Sequence, residues 1–208
     1  MRIDRHLFLL ILLLLPALCT GCGPRARLVQ SWRDPGRPAP RIDHILVIGI
    51  SRNENSIRLW ENVFVDTFSG LGIRAEAGHR VIGALPEPDH RAIAAAARKS
   101  GANAVLITRL VDVTTRTTTH PGMVHFEPRA IYRRMDGYYG TAYRAVHMPP
   151  VEVTRTRVSL ESNLYDAATG GLVWSARTEA RDPRLLRSDY EQLISLLVND
   201  LRTKGLLP

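Results

Sequence analysis

The side chains able to do chemistry fall in two places. Cys19 and Cys22 are the only cysteines, and both follow an apolar run near the N-terminus. The stretch 116–150 gathers four of the six tyrosines: Tyr132, Tyr138, Tyr139 and Tyr143. It also holds His120, His125 and His147, together with Met123, Met135 and Met148. With Glu127 or Asp136 these histidines have the donor types of a metal site, but no two of them have the one-turn helical spacing of a strong ligand motif. There is no Gly-x-Ser-x-Gly elbow, no phosphate-binding Walker loop and no His-Glu-x-x-His. Asp182, Asp189 and Glu191 read as capping or solvation. Glu61 reads as the partner of Arg58, three residues away on one helix. No catalytic residue and no metal ligand is assigned, so the expectation is a protein that is not an enzyme.

Residues 1–22 set the expected compartment. Arg2 and Arg5 form a charged start, and residues 7–15 are an unbroken apolar run. Such a run is too short to span a bilayer and matches the apolar region of a signal peptide. Leu18-Cys19-Thr20-Gly21-Cys22 follows. It resembles the bacterial lipobox, in which small residues precede a cysteine that is acylated and becomes the first mature residue. Cys19 stands where a leucine is usual. The expected leader is 1–21, with lipid on Cys22. Several acyl chains on one cysteine make an effectively permanent anchor. Gly23 follows where an aspartate would signal inner-membrane retention, which favours the outer membrane, facing the periplasm. Lipidation would consume Cys22, leaving no thiol for a disulfide, a nucleophile or a thiolate metal site. The covalent lipid is then the only expected prosthetic group, and nucleic acid is excluded as an everyday partner.

Composition agrees with a folded domain. The 208 residues are 45% hydrophobic and 23% charged, close to the globular average. This excludes a disordered chain, a collagen-like chain and a multi-span membrane protein. The net charge is +8, and Lys99 and Lys204 are the only lysines among 28 basic residues. Genome composition and solubility are the favoured explanation of the excess; the sharper reading is an anionic partner, which arginine suits through its planar fork.

The elements that must position these groups follow from periodicity. Residues 22–41 are rich in Pro, Gly and Arg and read as a basic tether, with Trp32 as an isolated aromatic that could dock on the domain or touch a partner. Residues 42–50 form a nearly continuous apolar run, predicting a strand covered on both faces. Ile57, Trp60, Phe64, Phe68 and Leu71 predict an amphipathic helix over 55–71, with a short strand over 73–77. A second helix opens at Pro88 and Asp89, and Ala104 to Val113 predicts a strong strand. Residues 151–165 alternate, turn through 166–171 and return as a strand, predicting a hairpin with one wet face. A last helix is predicted over 183–204. The expected fold class is α/β: a mixed sheet with the order β-α-β-α-β, then a β-hairpin, then a C-terminal helix, in one sandwich domain over 42–208.

The stretch 116–150 fits neither period and is expected as an insertion in that domain. A loop this long is commonly functional, and Tyr, Met and Arg are enriched at interface cores. One reading is a binding flap, with Tyr132, Tyr138, Tyr139, Tyr143, Arg144 and His147 as candidate partner contacts. The other is an irregular cover over a sheet edge.

The mature chain resembles a family of small, uncharacterised Gram-negative lipoproteins that share a domain of unknown function. The resemblance rests on Cys22, on Ser31-Trp32-Arg33-Asp34-Pro35, on residues 45–50, and on Arg58 with Glu61. Residues 101–109, Leu164-Tyr165-Asp166, Leu172-Val173-Trp174-Ser175 and Lys204-Gly205-Leu206 complete it. The layout is also similar to periplasmic α/β domains of envelope-assembly proteins such as the TolB N-terminal domain, LpoB and CsgG, a fold-level likeness that carries no function. The anchor at Cys22, the tether and the Tyr-rich flap together lead to the expectation of a membrane-anchored envelope lipoprotein that binds a protein or a glycan. The alternative expectation is a periplasmic module for a small ligand or a metal.

Overall fold

The computed structural model describes residues 26–36, 42–83, 89–130 and 141–208, with side chains except at 128–130 and 141–144. The predicted signal peptide and Cys22 therefore lie outside the described residues. The chain divides into two compact units: Met1–Val113 with Arg157–Pro208, and Thr114–Thr156.

The elements run in the order β1 (Ala26–Arg33), β2 (His44–Ile50), α1 (Glu54–Gly70), β3 (Arg74–Ala77), α2 (Gly78–Val81), α3 (His90–Ser100), β4 (Ala104–His120), β5 (Met123–Ala130), β6 (Thr141–Met148), β7 (Val151–Asp166), β8 (Leu172–Arg181) and α4 (Arg187–Thr203). Six strands form a sheet in the order β1-β8-β7-β4-β2-β3. β2 runs parallel to β3 and β4, while β8 runs antiparallel to β1 and β7. The α/β class, the mixed sheet, the hairpin and the C-terminal helix are as the sequence predicts.

In the first unit the sheet is packed on both faces around β2, whose seven residues are all buried. Ile45 and Val47 join the core under α1 and α4. Leu46, Ile48 and Ile50 face Ala96 and Ala97 of α3. Burial on both faces is why β2 reads as a continuous apolar run. Helix α1 starts where the Asn53 side chain accepts from the Ser56 N–H at 3.0 Å, an N-cap. Its apolar face packs edge-on through Trp60 and Phe64, with ring centres 5.1 Å apart, and Trp60 meets Tyr190 of α4 at 5.9 Å. Asp89 caps α3 by accepting from the N–H groups of Arg91 and Ala92, and Gly101 ends it with a left-handed φ of 68°, the usual helix stop. α4 begins four residues later than its predicted start at 183. Asp189 in its first turn accepts from the N–H groups of Arg184 at 2.8 Å and Leu186 at 3.3 Å, so the helix's own acid holds the residues that precede it outside the helix.

Two expectations change. The predicted tether 22–41 contains β1, an edge strand paired with β8. The register shifts between Leu28 and Gln30, and this bulge interrupts the alternation that would have revealed a strand. The side chain of Arg33 donates to the Lys204 carbonyl and Ser31 donates to Asp200 at 2.9 Å. Trp32 is paired in register with Ser175 and is 44% exposed. The predicted aperiodic insertion 116–150 is also strand-rich. It holds the end of β4, then β5 and β6 as a two-stranded antiparallel sheet.

In the second unit the ends of β4 and β7 meet through hydroxyl pairs. Thr115 lies 3.4 Å from Thr156 and Thr117 lies 3.0 Å from Thr154, so the two strands run antiparallel. At Gly122 an added Cβ would fall 2.5 Å from the Met148 carbonyl oxygen. Only glycine lets the β4–β5 connection pass so close to the backbone after β6.

Candidate functional site

The candidate binding element is the β5–β6 hairpin. Its register pairs Met123 with Met148, Val124 with His147, His125 with Val146 and Phe126 with Ala145. Directly opposed residues share a face. One face therefore carries Val124, Phe126, Ala145 and His147; the other carries Met123, His125, Val146 and Met148. Large apolar groups stand in water: Phe126 is 65% exposed, Met123 62%, Val151 56%, Met148 51% and Val124 48%. His125 meets Glu127 at 3.2 Å, and both are exposed.

Of the predicted contact residues, His147 is exposed on β6 opposite Val124. Tyr143 and Arg144 occupy the register positions opposite Pro128 and Glu127. Tyr132, Tyr138 and Tyr139 lie outside the described residues, as does Cys22. Phe126 and Val124 were not singled out by sequence reasoning, which weighed the tyrosines. The signal was there in Val124-x-Phe126, a two-residue alternation too short to stand out. Among the described residues no three His, Cys, Asp or Glu side chains gather closely enough to share a metal ion.

A second polar constellation lies inside the first unit. Glu61 was expected to pair with Arg58. Instead Arg58 pairs with Glu54 one turn earlier, and Glu61 is buried at 1% exposure. One carboxylate oxygen accepts from the Gly49 N–H at 2.7 Å. The other accepts from the His79 N–H at 2.7 Å and meets His79 Nδ1 at 2.6 Å. Burial pushes the Glu61 carboxyl above its ordinary range, opposed by the two backbone donors and the His79 ring. Glu61 occupies the stripe Ile57-Glu61-Phe64-Phe68, whose four- and three-residue steps point it at the core. That position is the signal the sequence offered. Gly78 sits close by, where a Cβ would lie 3.0 Å from the Val47 carbonyl oxygen and 3.2 Å from the carboxylate. The His79 side chain is only 8% exposed, so this acid ties α1, β2 and α2 together rather than facing a solute.

No protein-family model matches the chain, and no curated protein matches it. Among solved structures, the chain is similar to the lipoprotein GNA1162 from Neisseria meningitidis at 16% identity and a TM-score of 0.44, over 79% of this chain and 99% of that one. It is similar to the PelC dodecamer from Paraburkholderia phytofirmans at 15% identity and a TM-score of 0.42, over 83% of this chain and 94% of that one. A PDZ domain protein from Parabacteroides distasonis matches at 6% identity and a TM-score of 0.37, over 86% of this chain and 36% of that one.

Proposed function

We propose that this protein is a lipoprotein of the cell envelope that works by binding a partner protein and performs no catalytic step. Acylated Cys22 anchors it to the outer membrane on the periplasmic side. The β5–β6 hairpin is the contact element. The observation that carries the reading is the exposure of Val124 and Phe126 side by side on one face of the two-stranded sheet, with Met123 and Met148 exposed on the other. Contiguous exposed apolar side chains mark interaction sites, because water disfavours such a patch until a partner covers it. The sequence of residues 7–22 supports the anchor. No helix among the described residues is long and apolar enough to cross a membrane.

The test is in-cell photo-crosslinking from position 126, with membrane fractionation of the same cells. A crosslinker at the exposed Ser69 of α1 serves as the control position. The expected result is one defined protein adduct from position 126 and none from position 69. A glycan adduct would reassign the partner class, and no adduct from position 126 would refute the binding role. Fractionation tests the anchor separately: Cys22→Ala should release the protein from membranes, and unchanged retention of that variant would refute lipidation at Cys22.

A further inference from the structure

We propose that the turn between β8 and α4 touches the membrane, with Leu185 and Leu186 inserted into the lipid interface of the leaflet that holds the anchor. The proposal rests on the reading that Cys22 carries the lipid, and it concerns the first unit alone. Leu185 and Leu186 are adjacent and are 55% and 53% exposed. They are held in place. Leu185 has a φ of 58°, in the left-handed region that a leucine rarely adopts. The Asp189 carboxylate accepts the N–H on either side of it, from Arg184 at 2.8 Å and from Leu186 at 3.3 Å. The turn therefore presents two leucines to the outside through a strained backbone that a neighbouring acid maintains. Strain kept in this way marks functional positions, and an apolar pair at the surface lowers its free energy once water is excluded from it.

The length of chain before β1 says what meets them. Ala26, the first residue of β1, pairs with Ala180 near the end of β8. β1 thus begins at the end of the sheet from which the turn 182–186 emerges. Ala26 follows Cys22 by four residues, a reach of at most about 14 Å. A lipid on Cys22 holds this end of the sheet against the bilayer. The β7–β8 turn lies at the opposite end, since Leu164 pairs with Trp174 there while Arg157 pairs with Arg181 here. Charge does not select the lipid. Arg27 is matched by Glu179 at 2.7 Å, and Arg187 by Asp66 at 2.7 Å and Glu191 at 2.8 Å. The contact is apolar, and neutral lipid suffices for it. Arg184 beside the leucines is exposed, and a long basic side chain of this kind keeps its head in water while its stem lies along the interface.

The test places an environment-sensitive NBD fluorophore on Leu185→Cys, on Leu186→Cys and, at the opposite end of β8, on the exposed Ala168→Cys. Each protein is purified from membranes and reconstituted into phosphatidylcholine vesicles. Emission from 185 and 186 should brighten and shift to the blue, while emission from 168 stays as in water. Adding phosphatidylglycerol should leave this pattern unchanged. Probes at both 185 and 186 that behave like the one at 168 would overturn the proposal. So would a shift that appears only with phosphatidylglycerol, or one seen in native membranes and not in vesicles, which would put a protein at the turn. Mass spectrometry of the same samples reads the lipid on Cys22 separately. Its absence would refute the anchor, and the same probes in a Cys22→Ala background, mixed with the vesicles, would still decide the insertion.

Discussion

The Glu61 carboxylate lies 2.6 Å from Nδ1 of His79 and accepts the His79 backbone N–H through the same oxygen. The contact joins the middle of α1 to the start of α2, while the other oxygen holds Gly49 of β2. Glu61→Gln replaces one acceptor with an NH2 group that faces N–H donors. An orphaned buried donor costs about 1–3 kcal/mol, so a loss of that size is expected in urea unfolding. Glu61→Ala should cost about 3–5 kcal/mol, as when one partner of a buried pair is removed. A variant as stable as the parent would show that this acid does not hold the three elements together.

The same group sets a pH dependence. Burial raises the Glu61 carboxyl above its ordinary value of 4.5, so between the two values the folded state holds more protons than the unfolded state. Stability from this group is therefore full below about pH 4 and falls as pH rises through the folded value. The urea midpoint of the parent should show this falling contribution relative to Glu61→Gln. Parallel profiles for the two proteins between pH 4 and 7 would contradict it.

Asp200 joins α4 to the two strands at one side of the sheet. Its carboxylate accepts from Trp174 Nε1 at 2.7 Å and from the Ser31 hydroxyl at 2.9 Å. Trp174 is fully buried, so its N–H has no access to water as a replacement. Asp200→Ala should cost about 1.5–3 kcal/mol, the range for a hydrogen bond to a charged group. Thermal unfolding followed by tryptophan fluorescence checks this.

Gly122 decides whether the second unit closes. A side chain there meets the Met148 carbonyl and the Pro150 nitrogen, both backbone atoms that cannot swing aside. Gly122→Val should open residues 114–156 to limited proteolysis while the tryptophan fluorescence of the first unit stays native. Cleavage no faster than in the parent would show that the connection can shift.

The hairpin patch should be separable from stability. Phe126 and Val124 are exposed, so Val124→Ser with Phe126→Ser should change the unfolding free energy by no more than about 0.5 kcal/mol per site. The same double variant should lose the adduct formed by a crosslinker at position 145, which is exposed on the same face. An intact adduct in the folded variant would move the contact away from these two residues.

Much of the α/β unit was legible in the sequence because its elements bury regular stripes. The Ile57-Trp60-Phe64-Phe68 face, the doubly covered β2 and the Leu193-Ile194-Leu197 stripe each have one environment per face, which periodicity records directly. Position 61 shows the limit. The stripe placed it inward, yet its carboxylate suggested an exposed pair with Arg58, since its partners lie 12 residues before and 18 after. The hairpin residues were legible only as composition, because both faces of β5–β6 carry apolar side chains exposed to water and no inside–outside alternation arises. By itself the sequence determined most helices and strands, and it supplied the expectation of a leader over 1–21 with lipid on Cys22. Tertiary structure alone decided the pairing of β1 with β8 and the burial of Glu61 against His79. Both depend on residues distant in the chain meeting through backbone hydrogen bonds and packed faces, and local residue pattern carries no record of such meetings.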